Sequence, residues 1–280
     1  MKDPRRLPSN GVYAAAELKG QIEAEFYVAG EIQRIAQPVA DLRLAPGAGP
    51  LDRQLLYGDR FRVLERGEDF AFGQADRGGY VGYVSTHALG DWIEPNTRIL
   101  VRASLGFSGK DIKSPAPLRF PMGAKVNVKA HDTIWAETAC GLFFPLPHLG
   151  PLEDNATDPV AVAEKFLGTP YLWGGNSDLG IDCSGLVQIA CLICGIHCPG
   201  DSDQQEAELG TPLAGRSQLR RGDLMFWRGH VAWVVDEETI LHANAYHMAV
   251  SYEPLEEALA RIDAQGDGQV TTRKRLELNT

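Results

Sequence analysis

Apolar and polar positions change their rhythm twice along this chain. From about residue 31 to 150 the apolar residues come in short pieces separated by turn residues at close spacing. Residues 33–36, 61–64 and 80–84 are strand-like, and Pro46-Gly47, Tyr57-Gly58-Asp59 and Arg66-Gly67 punctuate them, the rhythm of a small barrel. A second set follows at 99–103, 125–129 and 133–138, with residues 118–124 standing before a strand much as 55–60 do. The pattern predicts two small all-β barrels in tandem, 31–95 and 96–150, after an N-terminal extension, 1–30. Within the extension, residues 18–27 read equally as a short helix or an extended arm.

Residues 150–158 form a polar, proline-bearing linker, after which the period changes. Residues 159–167 have helical spacing, with Asp158 as N-cap, Pro159 at the first helical position and Gly168 as a stop. A loop at 171–175 leads to a second helix over 183–194. Strand-like runs at 223–227, 231–235 and 240–243 follow, then a charged terminal segment. Helices followed by strands predict an α+β domain over 158–280.

Composition narrows the class. A formal charge of -10 and a pI of about 5.2 over 280 residues argue against nucleic-acid or anionic-membrane partners. No run approaches the roughly 18 apolar residues of a membrane span. Residues 1–10 are charged and lack an apolar core, so no secretory signal is expected. The five cysteines, four of them within 183–198, are not a disulfide framework. A monomer in a reducing cytoplasm is expected.

The candidate chemistry centres on Asp182-Cys183-Ser184-Gly185-Leu186-Val187-Gln188. A cysteine at a helix N-terminus meets unpaired N–H groups and a positive partial charge, both of which favour the thiolate. A cysteine nucleophile also needs a base, and the base needs an orienting group. His230 and His242 flank the turn Asp236-Glu237-Glu238. A three-residue loop there would pair Val235 with Thr239 and Ala232 with His242. The two histidines would then be diagonal neighbours on one face, within reach of each other. Asn244, two residues on, is the rival orienting group.

These pieces carry a resemblance. Pro170-Tyr171-Leu172-Trp173-Gly174-Gly175, the Cys183 segment, Arg221-Gly222-Asp223-Leu224-Met225-Phe226, His230-Val231-Ala232 and Leu241-His242-Ala243 together resemble the NlpC/P60 cysteine peptidases, a papain-like fold. Gln54-Leu55-Leu56-Tyr57-Gly58-Asp59 and Gly79-Tyr80-Val81-Gly82-Tyr83-Val84 resemble bacterial SH3-like (SH3b) modules. The arrangement is similar to the γ-D-glutamyl-L-diamino acid endopeptidases (dipeptidyl-peptidase VI) that recycle murein peptides. The resemblance implies Cys183 as nucleophile, His230 as base and then acid, and His242 as its orienter. It implies Tyr171 beside an oxyanion hole completed by the Cys183 N–H. It also implies Asp182, Ser184, Asp201 and Ser202 as the binders of a substrate's free α-amine, and Asp52 and Tyr83 of the first barrel as walls of the groove. Gly200 stands where many relatives have arginine. The implied substrate is a small murein peptide, L-Ala-γ-D-Glu-diamino acid, cut after D-Glu through a thioester. No cofactor and no metal are implied.

Blander readings compete. A lone cysteine is most often a buried small hydrophobe. Trp173 reads as a packing residue, His148 and His247 as surface histidines, and residues 236–238 as a solvated turn. Cys191 and Cys194 have a metal-like spacing, but both lie within the apolar helical run, so packing is the better reading. The rival functions are a related amidase or acyltransferase on the same scaffold, and a non-catalytic peptidoglycan-binding module.

Overall fold

A computed structural model describes residues 3–277 except 48, 116 and 216. The chain divides into two compact units, the first ending at Leu152 and the second beginning at Glu153. Among the described residues no helix is long and apolar enough to cross a membrane.

The N-terminal unit is β-rich. Seven strands form one sheet in the order Leu51–Leu56, Val39–Arg43, Val81–Ser85, Phe70–Ala75, Arg60–Arg66, Glu31–Ile35, Leu89–Asp91. Their inward positions close over Ile35, Leu42, Leu55, Phe61, Tyr80 and Val84, all fully buried. Three smaller sheets follow, around Tyr57, Ile99, Phe120, Val126 and Phe144. Tyr57 belongs to both halves: it lies in the turn after Leu51–Leu56, its ring meets Phe120 edge-on at 5.0 Å, and its carbonyl accepts from the Lys125 N–H at 2.8 Å. The strand expected at 99–103 is two strands, Thr97–Ile99 and Ala103–Gly106, because each pairs with a different partner. The extension resolves as an arm. A short 3-10 turn, Ala16–Leu18, separates two strands, Tyr13–Ala15 and Phe26–Val28, paired in parallel. Ala15 packs on Leu64 and Phe72 of the first sheet.

The C-terminal unit is α+β. Its six-stranded sheet runs Thr211–Pro212, Thr272–Arg275, Asp223–Trp227, His230–Val234, Thr239–Asn244, Ala249–Pro254. Helix α1 (Pro159–Glu164) begins as its sequence dictates: the Asp158 carboxylate accepts from the Val160 and Ala161 N–H groups, with Pro159 in the first turn. It ends earlier than the periodicity implies, and Gly168 turns the chain at φ 77° only after a further turn. Helix α2 (Cys183–Ile193) is buried almost throughout. Helix α3 (Ser202–Glu208) follows, and α4 (Leu255–Gln265) comes after the last hairpin. Leu255, Ala258 and Ile262 of α4 cover Ala232, Val234 and Ile240 on one face of the sheet. Val231, Trp233, Leu241 and Ala243 alternate with these and are also fully buried, so both faces of the two strands are covered. Asp223 of the Arg-Gly-Asp motif is buried, receives the Arg220 N–H at 2.9 Å and is forked by Arg275 at 2.8 and 2.7 Å. That fork ties the motif's turn to the neighbouring strand Thr272–Arg275.

Candidate active site

Cys183 stands at the first position of α2. Asp182 is the N-cap: one oxygen accepts from the Gly185 N–H at 2.6 Å and from Ser184 Oγ at 3.0 Å, the other from the Gly174 N–H at 2.8 Å. This carboxylate therefore joins the Gly174 loop to the start of the helix. Gly185 has to be glycine for the same reason: a Cβ there would lie 2.5 Å from the Gly175 carbonyl oxygen and 2.5 Å from Asn176 Oδ1. Fully buried Gln205 of α3 donates to the Ser184 and Pro199 carbonyls, both at 2.9 Å. The start of α3, with Asp201 as its N-cap and Ser202 as its first residue, is thereby tied to the first turn of α2. Asp182, Ser184, Asp201 and Ser202 thus share one corner of this unit.

The backbone N–H groups of Val231 and Ser184 act on the Cys183 thiol in the direction that lowers it. These donors favour a thiolate, as a helix N-terminus should. Burial outweighs them: the residue is 7% exposed, and desolvation together with the Asp182 carboxylate pushes the thiol up to about 12. The thiolate expected from the helix terminus alone is thus not the resting form. Tyr171 stands close by. Its hydroxyl is raised well above the ordinary tyrosine range by burial, then by Cys183 and Asp182.

Val231, whose N–H helps lower the Cys183 thiol, directly follows His230. The hairpin has the three-residue loop: Trp233 pairs with Leu241 and Val234 with Ile240, and the Val235 N–H reaches the Thr239 carbonyl at 2.9 Å. His230 and His242 are diagonal neighbours, with His230 Nε2 2.9 Å from His242 Nδ1. The Trp227 ring lies against His230 at 5.7 Å. Burial, then His242 and Arg261, bring His230 down to about 3. Burial likewise lowers His242, against the pull of Glu253. Both imidazoles are therefore neutral near pH 7. A cavity of about 450 Å³ opens beside His230, bordered by Tyr171, Arg228, Tyr246 and Arg261.

The register continues one strand further. His242 pairs with Ser251, which makes Glu253 its diagonal neighbour. Glu253 Oε2 lies 2.9 Å from His242 Nε2, and Arg261 of α4 forks the carboxylate at 2.7 Å on each oxygen. Burial alone would raise this carboxyl, but the hydrogen bonds from Arg261 and His242 outweigh it and bring it down to about 2. Neither residue stands out in the sequence. A strand glutamate two residues from the partner of His242 becomes visible only once the pairing is known.

The structure corrects the expectations for Trp173 and Asn244 and places the remaining residues. Trp173 does not pack: it is 69% exposed, because the turn closed by the Gly175 N–H on the Leu172 carbonyl, with Gly174 at φ 73°, carries it outward. Asn244 does not orient His230; its oxygen accepts from the His247 N–H at 2.7 Å and its nitrogen donates to Ser251 Oγ at 3.2 Å. His148 is half-buried, with Nδ1 2.9 Å from Ser104 Oγ. Residues 236–238 are an exposed turn. Asp52 and Tyr83 lie in the N-terminal unit. Asp52 pairs with Arg53 at 3.3 Å, and Tyr83 packs on Phe72 and accepts from Asn10 Nδ2 at 3.2 Å.

Among the described residues, His242, His247 and Glu253 have metal-ligand spacing, with ligand atoms within 4.8 Å of one another. The Arg261 guanidinium already neutralises that carboxylate, and His242 Nε2 is engaged with it. This donor set is ill suited to a cation. Cys191 is buried and Cys194, at the C-cap of α2, is half-buried; Cys198, also buried, donates its thiol to the Pro199 carbonyl at 3.3 Å.

Comparison with known proteins meets this geometry. Residues 168–263 match the model of the NlpC/P60 family, a span that includes Cys183, His230, His242, Glu253 and Arg261. The C-terminal unit carries an NlpC/P60 domain. Residues 42–89 match the Sh3 domain of bacterial dipeptidyl-peptidases. A dipeptidyl-peptidase 6 of Lysinibacillus sphaericus is 37% identical over 100 residues, which are 35% of this chain and 36% of that protein. A γ-D-glutamyl-L-lysine dipeptidyl-peptidase of Bacillus subtilis is 41% identical over 93 residues, 33% of this chain and 29% of that one. The chain thus spans about a third of the length of these relatives. The crystal structure of an NlpC/P60 family protein from Bacillus cereus superposes with a TM-score of 0.75 at 19% identity, over 89% of this chain and 100% of that one. This likeness extends across both units and establishes the fold: an NlpC/P60 domain preceded by SH3-like β domains.

Proposed function

We propose that this chain is a cysteine peptidase that cuts the bond between γ-D-Glu and a diamino acid in small murein peptides with a free N-terminal L-Ala. The observation that carries the reading is the line of Cys183, Val231 N–H, His230 and His242. A buried thiol is influenced by the backbone of the residue next to an imidazole whose Nε2 is held by a second imidazole. The names of the relatives point to the γ-D-glutamyl substrate. In this reading Cys183 passes its proton to His230 Nδ1 as the sulfur attacks the carbonyl carbon. The oxyanion is met by the Cys183 N–H, with Tyr171 beside it. The imidazolium then gives its proton to the leaving amine, which departs and leaves a thioester. Water, deprotonated by His230, adds to the thioester carbonyl, and the γ-D-Glu carboxylate leaves as the thiol is restored. The peptides would reach the protein in the cytoplasm, and no cofactor is required by these steps.

Asp182, Ser184, Asp201 and Ser202 would hold the substrate ammonium through charge-assisted hydrogen bonds. The test is incubation with L-Ala-γ-D-Glu-L-Lys and its N-acetylated form, read by mass spectrometry. Release of L-Ala-γ-D-Glu from the free amine, lost in Cys183→Ala, is the expected result. Undiminished release by Cys183→Ala would overturn the nucleophile, and equal cleavage of the acetylated peptide would overturn the amine site.

A further inference from the structure

Three hydrogen-bonded contacts in series, the first of them a two-bond fork, determine where the protons of the two histidines lie. Arg261 donates through Nε to Glu253 Oε1 and through Nη2 to Oε2, each at 2.7 Å. A carboxylate forked in this way is ionised and can only accept. His242 Nε2, 2.9 Å from Oε2, must therefore carry the hydrogen. A neutral imidazole has one N–H, so His242 Nδ1 is an acceptor. Its partner at 2.9 Å, His230 Nε2, must then be the donor. His230 is neutral too, and its lone pair is left on Nδ1. These tautomers follow from the hydrogen-bond network.

We propose that Glu253, clamped by Arg261, is a positioning residue that sets the tautomers of His242 and His230 and so leaves the basic lone pair on His230 Nδ1. The proposal rests on reading Cys183 and His230 as the working pair. The clamp matters because a buried carboxyl without a cation drifts toward its neutral form. A protonated Glu253 would donate to His242 Nε2. His242 would then hold its hydrogen on Nδ1 and donate to His230 Nε2, and the His230 hydrogen would move to Nδ1. The base would be blocked without any ring moving. Glu253 comes from the strand Ala249–Pro254 and Arg261 from α4, so the hairpin and the helix that covers it jointly decide the protonation pattern.

The test is a long-range 1H–15N spectrum of the full-length protein labelled at histidine ring nitrogens, for wild type and Glu253→Gln. In wild type both His230 and His242 should appear as Nε2–H tautomers. In the variant, Arg261 claims the amide oxygen, so the amide NH2 faces His242, and both rings should switch to Nδ1–H. Hydrolysis should fall roughly 10²–10⁴-fold in kcat, as when a triad's orienting acid becomes its amide, with KM little changed. Glu253→Asp should restore the wild-type tautomers. A wild-type His230 carrying its hydrogen on Nδ1, or tautomers that Glu253→Gln leaves unchanged, would overturn the proposal. The wild-type spectrum needs no variant to fold. Tautomers as assigned in a protein that cleaves no peptide would refute the function and leave this assignment standing.

Discussion

His230 Nε2 lies 2.9 Å from His242 Nδ1 because a three-residue turn places the two residues diagonally across one hairpin. The contact assigns His242, rather than Asn244, as the group that holds the candidate base. His242→Ala should lower kcat by roughly 10²–10⁴-fold, the scale of losing a triad's orienting member. Asn244→Ala, which breaks hydrogen bonds to His247 and Ser251, should leave kcat close to wild type. Steady-state kinetics on the tripeptide decide between them, and the reverse order would return the role to Asn244.

The buried neutral histidines make the fold acid-sensitive. Unfolded, each titrates near 6.5; folded, His230 is held down to about 3 by burial, and His242 is lowered as well. Below pH 6.5 the unfolded chain takes up protons that the native state does not, so stability falls as pH drops through that window. Glu253, about 2 when folded against 4.5 when unfolded, adds a second loss below pH 4.5. The urea midpoint should decline steadily from pH 6.5 to 4, and the decline should be shallower in His230→Gln. A midpoint unchanged across that range would contradict the neutral pair.

Gly185→Ala should damage the site without touching a chemical group. The new methyl would press on the Gly175 carbonyl, a backbone atom that cannot rotate away. The expected cost is about 1–3 kcal/mol of stability, seen as a lower Tm. Slower alkylation of Cys183 by iodoacetamide would report the displaced helix terminus. Wild-type values in both measurements would mean that the loop yields more easily than its packing implies.

In the N-terminal unit, Asp59 and Arg77 form a buried pair at 2.8 Å, with Lys125 at 3.5 Å from the same carboxylate. Burial would raise the Asp59 carboxyl, but Arg77 and Lys125 hold it below the ordinary range. Arg77→Met, which strands the carboxylate, should cost about 3–5 kcal/mol in chemical denaturation. Asp59→Asn combined with Arg77→Met should recover part of that loss. A double variant no more stable than the single would show that the cost comes from the lost packing of the Arg77 side chain rather than from the uncompensated charge.

The features legible in the sequence were local. Asp158 as a cap, Cys183 at the head of α2, and the loop length that would align His230 with His242 each depend on residues within a dozen positions. Helix capping and hairpin register are set at that range. The tertiary structure decided what distant segments impose. Gly174 swings Trp173 into solvent although the glycines that follow it are buried. The packing around α2 desolvates Cys183 enough to reverse the thiolate preference of its helix terminus. Glu253 and Arg261 meet His242 only because one more strand pairs in register and α4 folds over the same face. A proton's position on an imidazole depends on the whole chain of partners, and no local pattern places the last two against His242.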